Sequence, residues 1–189
     1  MAREAGDLSE HDLDCRDMRE LSGGSHQALE RLYTRYASRL AGFFWRMGAD
    51  ASAMDELVQD AFVRLWRHGS GWRGEGRFST YLFGIARSAW VESRSAARRP
   101  AIPADELRRG IGPAQPDGEL ERSELRREIG EALAALPEGH RDVVSLATAG
   151  GLKYREIAEL LGIPMGTVKS RMAAAEEKLR ERLGRYLAR

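Results

Sequence analysis

The 189-residue chain, 42% hydrophobic and 31% charged, has material for one domain or two small ones and the composition of a soluble fold with charge-rich helices. Its net charge of +1 does not announce a nucleic-acid partner, and its single cysteine, Cys15, excludes an internal disulfide. No secretory segment and no apolar run of membrane-spanning length is present, so a cytoplasmic protein without membrane insertion is expected.

Charge is unevenly placed. Residues 1–20 carry three Arg against seven Asp and Glu, a net of −4. This stretch, ending in Ser22-Gly23-Gly24, is expected to be an acidic, adaptable arm over 1–24. His11 and Cys15 have the i, i+4 spacing of a helical metal pair, but two ligands among acids favour a solvated tail, and no metal or other cofactor is expected.

Ser25 can cap a helix to about Met47, with Leu29, Leu32, Tyr33, Tyr36, Leu40, Phe43, Phe44 and Met47 at helical spacing. Gly48-Ala49-Asp50 breaks it. Ser52-Ala53-Met54-Asp55 resembles a capping box, opening a helix through Met54, Leu57, Val58, Ala61, Phe62, Leu65 and Trp66 to about His68. Asp55, Glu56, Gln59 and Asp60 flank that face. Two readings stand at this point: a central core helix with an acidic edge, or a docking face with apolar anchors and an acidic rim.

Four glycines in eight positions make 69–78 a loop. They match no phosphate-binding motif. Trp72 and Phe78 alternate with Arg73 and Arg77, the residue types that stack on exposed bases and hold a backbone; rings tucked under the loop are the alternative. Ser79 or Thr80 starts a third helix to about Arg99. It has an apolar side through Leu82, Phe83, Ile85, Ala86, Ala89, Trp90 and Val91, and a basic side through Arg87, Arg94, Arg98 and Arg99. From Arg77 to Arg99 the net charge is +4, and the small residues and modest apolar bulk at the helix end favour phosphate contact over a membrane surface.

Four prolines and three glycines between Pro100 and Gly118 mark a linker. The expected fold is therefore all-α: two small helical domains, 25–99 and 119–189, joined by a flexible linker over 100–118. The second opens with helices from Glu119 to Ala135 and from Pro137 to Gly150-Gly151. Then comes Lys153-Tyr154 and a short helix carrying Ile157, Leu160 and Leu161. Gly162 stands at a left-handed cap, Pro164 at the start of the next helix, and Val168 and Met172 continue the buried stripe. Thr167, Lys169, Ser170 and Arg171 are left facing out. A small residue at Ala158, a corner Gly four later and Val six after that is the signature of a DNA-binding helix-turn-helix, with a plain helical hairpin as the alternative.

Four stretches in order resemble bacterial sigma factors of the extracytoplasmic-function (ECF) type: Asp55–Trp66, Phe78–Arg87, Leu136-Pro137-Glu138, and Tyr154–Glu159 with Gly166–Arg171. The resemblance spans nearly everything but the arm and linker. It implies that Asp55, Glu56, Gln59, Asp60, Phe62, Leu65 and Trp66 dock on the β′ clamp helices of core RNA polymerase, with the β flap as a further contact. It implies that Trp72, Arg73, Arg77, Phe78, Ser79, Thr80, Arg87, Arg94 and Arg98 capture the melted −10 element of promoter DNA. Lys153, Tyr154, Pro164, Thr167, Lys169, Ser170 and Arg171 would read the −35 element, and an anti-sigma factor would hold the protein inactive. Ala173-Ala174-Ala175-Glu176-Glu177 departs from the basic continuation of many relatives. Either −35 reading is concentrated in Thr167, Lys169, Ser170 and Arg171, or the motif is unusual.

The competing reading from another class is a stand-alone helix-turn-helix repressor or activator that binds a palindromic duplex as a dimer. The aromatic loop has no role on closed duplex. Catalysis is not expected: His11, His26, His68 and His140 are scattered, without nucleophile or acid partners.

Overall fold

The computed structural model describes residues 9–97 and 119–187. Among them there are helices and one 3₁₀ turn and no strand: α1 (Glu10–Ser22), α2 (His26–Met47), α3 (Ala51–His68), the turn Gly69–Gly71, α4 (Phe78–Ala97), α5 (Glu119–Ala134), α6 (Glu138–Thr148), α7 (Tyr154–Leu161) and α8 (Met165–Leu187). No helix is long and apolar enough to cross a membrane among these residues. The expected linker over 100–118 lies outside the described residues, as does the part of the arm before Ser9.

The rest of the expected arm is corrected by the structure: it is helical and docked. Ser9 caps α1 through its hydroxyl, and Asp12 accepts from the Ser9 backbone N–H in return. Glu10, Asp14 and Asp17, spaced i, i+4, i+7, form one stripe facing Arg31, Arg35 and Arg39 on α2. Asp14 accepts from Arg35 at 2.6 Å, Asp17 from Arg31 and Arg35 at 2.8 Å each, and Glu10 from Arg39 at 2.6 Å. Glu20 also pairs with Arg31. The buried Tyr36 hydroxyl donates to Asp14, so its own ionisation is pushed well up by burial and by that hydrogen bond. Met18 and Leu21 sit beneath in the core. His11 and Cys15 lie one turn apart on this helix, Cys15 Sγ 3.7 Å from His11 Nε2, and the described residues contain no group of three metal-ligating side chains.

α2 buries Leu32, Tyr36, Leu40, Phe43, Phe44 and Met47 and stops at Gly48, whose φ of 99° only glycine adopts without strain. The cap of α3 is Asp50, which accepts from the Ala53 N–H at 2.8 Å; the expected box at Ser52 lies inside the helix. The acid nearer the chain reversal takes the cap. α4 starts at Phe78, one residue earlier than expected, and packs its apolar side between α2 and α3. Phe78 meets Tyr36 edge-on at 5.2 Å, and Phe83 meets Phe43 at 5.6 Å. Val91, expected on that apolar side, is exposed.

The second half is a four-helix unit around Leu133, Leu136, Val143, Leu146, Ile157, Val168, Met172 and Ala175. It is not separate from the first: one hydrophobic core runs through both, with α2 against α5 and α6, and α4 against α7. Arg141 of α6 ties the seam by donating to the carbonyls of Leu133, Ala134 and Leu136 and, across the seam, to that of Met47 at 3.2 Å. At Gly150 the halves approach closely, since a Cβ there would stand 3.3 Å from the Phe83 ring.

Candidate nucleic-acid interface and partner face

The helix-turn-helix is built from local rules. Glu156 accepts from the Lys153 N–H at 2.6 Å and starts α7. Ala158 is small enough for α8 to cross closely, and Gly162 at φ 64° turns the corner while Ile163 N–H returns to the Ala158 carbonyl at 3.1 Å. Val168, Met172 and Ala175 face inward. That periodicity leaves Lys169, Ser170 and Ala173 outward, with Lys153, Tyr154, Pro164 and Met165 exposed around them. Thr167 is half-buried, and its carbonyl accepts from the Ser170 hydroxyl.

Arg171 departs from expectation. It does not face out; it is half-buried, folded over the first turn of α6, where a Cβ on Gly139 would stand 2.8 Å from its guanidinium. His140 beside it has its pKa lowered, first by partial burial and then by the charges of Lys178 and Arg171. Arg171 and Lys178 of α8 therefore make one basic edge over the start of α6, flanking the exposed face. The signal for it in the sequence is only a glycine where a bulkier residue would have excluded Arg171.

On the first half, a groove of about 640 Å³ opens between Trp72, Thr80, Tyr81 and Arg87 on one side and Glu156 and Leu160 of α7 on the other. Trp72 is half-buried, and its Nε1 and the Thr80 Oγ1 are buried without a hydrogen-bond partner. Phe78 and Ser79 are not available to it: Phe78 is wholly buried, its ring 6.0 Å from that of Trp72, and Ser79 is buried too. An aromatic at the first position of a helix packed on α2 becomes core, so Phe78 supports Trp72 from behind. Arg73 is exposed; Arg94 is exposed with its guanidinium 5.7 Å from the Trp90 ring; Arg98 lies outside the described residues. Arg77 and Arg87 are engaged across the seam, Arg77 donating to the Gly151 carbonyl at 3.2 Å and Arg87 to Asp142 at 2.9 Å. Arg39 of α2, which the sequence reading passed over, does the same to Ala149 and Gly150.

The expected docking helix divides differently. Phe62, 5% exposed, and Leu65, fully buried, belong to the core and are not anchors. Asp55, Glu56 and Gln59 are exposed, and Asp60 is half-buried, holding Arg64 at 2.9 Å, which also grips Glu92. Trp66 is 36% exposed and stacks on His26 at 4.5 Å. With it stand Tyr33 and Val63, 45% and 44% exposed, neither marked by the sequence reading as a site residue. Tyr33 packs on the Phe62 ring at 4.9 Å, so the core residue positions the surface one. An exposed apolar patch rimmed by acids is a partner face in form.

Taken together, an outward-facing helix-turn-helix and an aromatic, arginine-flanked groove define a DNA-binding transcription factor with two distinct contact surfaces. Residues 32–99 match the family model Sigma-70 region 2, and residues 126–179 match Sigma-70, region 4. The ECF RNA polymerase sigma factor RpoE of Cereibacter sphaeroides is 30% identical over 160 residues, 82% of this chain and 86% of that protein. The ECF RNA polymerase sigma-E factor of Escherichia coli (strain K12) is 31% identical over 166 residues, again 82% and 86%. The chain belongs to the ECF RNA polymerase sigma factor family. Its fold is also that of CnrH, solved in complex with the cytosolic domain of CnrY (TM-score 0.70, 24% identity, covering 92% of this chain and 98% of that one). The sigma factor RpoE, solved with the anti-sigma factor NepR from Bartonella quintana, is similar as well (TM-score 0.66, 24% identity, 82% and 96%).

Proposed function

We propose that this sigma factor recognises its promoters in two parts, with duplex read by α8 and single strand held by the groove beside Trp72. Supporting the duplex part is the outward face of Lys169, Ser170 and Ala173, placed as a recognition helix enters the major groove. Lys169 is the hydrogen-bond donor, Ala173 offers a methyl contact, and Arg171 with Lys178 lies along the neighbouring phosphates. Glu176 and Glu177 keep the later turns of α8 off the backbone, which confines reading to one short segment. Replacing Lys169 by Ala weakens binding to the cognate duplex and lowers the slope of log affinity against log salt by about one if the contact is to phosphate. An unchanged slope with loss of discrimination at one base pair places it on a base.

The observation that carries the single-strand part is the open groove of about 640 Å³ lined by Trp72 and Thr80 next to Arg77 and Arg87. A flipped base stacks on the open part of the indole, and the guanidinium groups hold the flanking phosphates. Trp72→Ala in holoenzyme lowers open-complex formation by roughly 5- to 150-fold, following a stacking contribution of about 1–3 kcal/mol per base. Permanganate reactivity of the −10 thymines measures it. Equal reactivity in the two holoenzymes overturns the assignment.

Core RNA polymerase docks on Tyr33, Val63 and Trp66 with Asp55, Glu56, Gln59 and Asp60 as the acidic rim, and the second half meets the flap. The chain catalyses nothing itself and acts in the cytoplasm, where the polymerase is. An anti-sigma factor holds it in reserve: similar folds are solved in complex with CnrY and with NepR, and the same exposed apolar patch favours a cover.

A further inference from the structure

The outward face of α8 carries almost nothing that can hold a base pair by paired hydrogen bonds. Met165, Lys169 and Ala173 form one exposed row at i, i+4 and i+8, with Gly166 and Ser170 exposed in the row beside it. Lys169 is a point-charge donor. The Ser170 hydroxyl spends its one proton on the Thr167 carbonyl at 3.1 Å, which leaves it as an acceptor towards DNA. Arg171, the arginine of this stretch, is half-buried and folded over Gly139. The bidentate arginine–guanine contact that most often fixes a base pair in the major groove is therefore not offered by this face.

What the face offers in its place is apolar. Met165 opens α8 and is 47% exposed, the most of any large apolar side chain among the described residues. A flexible, polarisable side chain left in water on a DNA-facing first turn suits an apolar partner from outside. Gly166 follows it. A Cβ added there would meet nothing within 4 Å, and its φ is not in the left-handed region, so neither packing nor backbone shape calls for glycine. Glycine weakens a helix relative to alanine, so the bare position beside Met165 answers to something outside the chain that comes close to it. From Met165 to Ala173 the row spans on the order of 12 Å at 1.5 Å per residue, about three to four base-pair steps.

We infer that Met165 discriminates promoters by reading the C5-methyl group of a thymine in the −35 segment, with Gly166 as the point where DNA comes against bare helix backbone. This rests on the duplex-reading role proposed above and names its chemistry. The element is recognised chiefly through thymine methyls, one at Met165 and one at Ala173, with Lys169 supplying a hydrogen bond to a base acceptor between them. The N-terminal residues of a recognition helix are the ones that reach base edges, so Met165 outweighs Ala173.

A promoter mapped by run-off transcription from a genomic template supplies the probe: its duplex, with each thymine of the −35 segment replaced in turn by uracil, which removes the methyl group and nothing else. Competition gel shifts read the affinity of holoenzyme for each duplex. At one thymine the replacement weakens wild type by roughly fourfold, the worth of burying one methyl group. Met165→Ala binds the parent duplex more weakly by a similar factor and loses the uracil penalty at that thymine alone. Met165→Leu, an apolar side chain of like volume, keeps the penalty, and so does Lys169→Ala. Gly166→Ala keeps or raises the melting temperature of the free chain yet weakens duplex binding several-fold. Uracil penalties that match, thymine by thymine, in wild type and Met165→Ala overturn the methyl contact, and unchanged duplex affinity in Gly166→Ala overturns the close approach. Matched penalties at a promoter the holoenzyme still transcribes refute this contact alone; no promoter-dependent transcript at all refutes the reading on which it rests.

Discussion

Asp17→Asn lowers the free energy of unfolding by about 3 kcal/mol at pH 7, the low end of what breaking a buried ion pair costs. Asp17 is fully buried and accepts from both Arg31 and Arg35 at 2.8 Å. Asparagine fits the space but leaves Arg35, whose side chain is 21% exposed, with Asp14 as its only carboxylate. Burial alone would raise the Asp17 pKa, yet the hydrogen bonds from Arg35 and Arg31 outweigh it and hold the carboxyl below its usual range. A depressed folded pKa gives stability that is present above the unfolded value, about 3.9, and lost as pH falls through the folded one. Asp14 has the opposite balance: its burial outweighs Tyr36 and Arg35, and its pKa is raised. Asp14→Asn therefore costs less than Asp17→Asn at neutral pH. Urea unfolding at pH 7 and at about pH 2 checks both, and the gap between wild type and Asp17→Asn narrows as pH falls below about 3.9. Equal stability of wild type and Asp17→Asn at pH 7 would show that α1 is not anchored by this pair.

The second large effect separates surface from core on α3. Trp66→Ala lowers affinity for core RNA polymerase by at least about 30-fold, a hot-spot loss of roughly 2 kcal/mol, and leaves folding nearly intact because Trp66 is already partly exposed and stacked on His26. Phe62→Ala does the reverse. It removes a ring buried beneath Tyr33 and costs about 3–5 kcal/mol of stability, so its polymerase defect follows from unfolding and disappears in the fraction that remains folded. Thermal melts paired with competition binding to core enzyme distinguish the two. If Phe62→Ala folds like wild type and alone loses polymerase, Phe62 is an anchor after all.

Helix bounds from α2 to α8 are legible to within about two residues because caps and periodicity are local: Ser25, Gly48, Pro137 and Gly162 each act within a few residues of themselves, while the α3 cap falls on Asp50 and not at Ser52. The helix-turn-helix was legible for the same reason. The acidity of α1 reads as composition in the sequence, whereas Glu10, Asp14 and Asp17 at helical spacing answer Arg31, Arg35 and Arg39 across the helix pair. Phe62, Leu65 and Phe78 were placed in contact with partners because periodicity marks a face as apolar without saying whether a neighbouring helix or another molecule covers it. α3 is covered by both α2 and α4, and only the leftover edge, Trp66 and Val63 with Tyr33 from α2, stays outside. The closure of the two halves left almost no trace in the sequence. Its acceptors are mostly main-chain carbonyls, which every residue carries, and Arg141 and Arg39 find them only once the helices are in place.

Run-off transcription with purified core RNA polymerase on genomic templates tests the central claim most directly. The account requires discrete, promoter-dependent transcripts when this chain is added, lost with Trp72→Ala and reduced with Lys169→Ala. No promoter-dependent product, together with no binding of the chain to core enzyme, would contradict it.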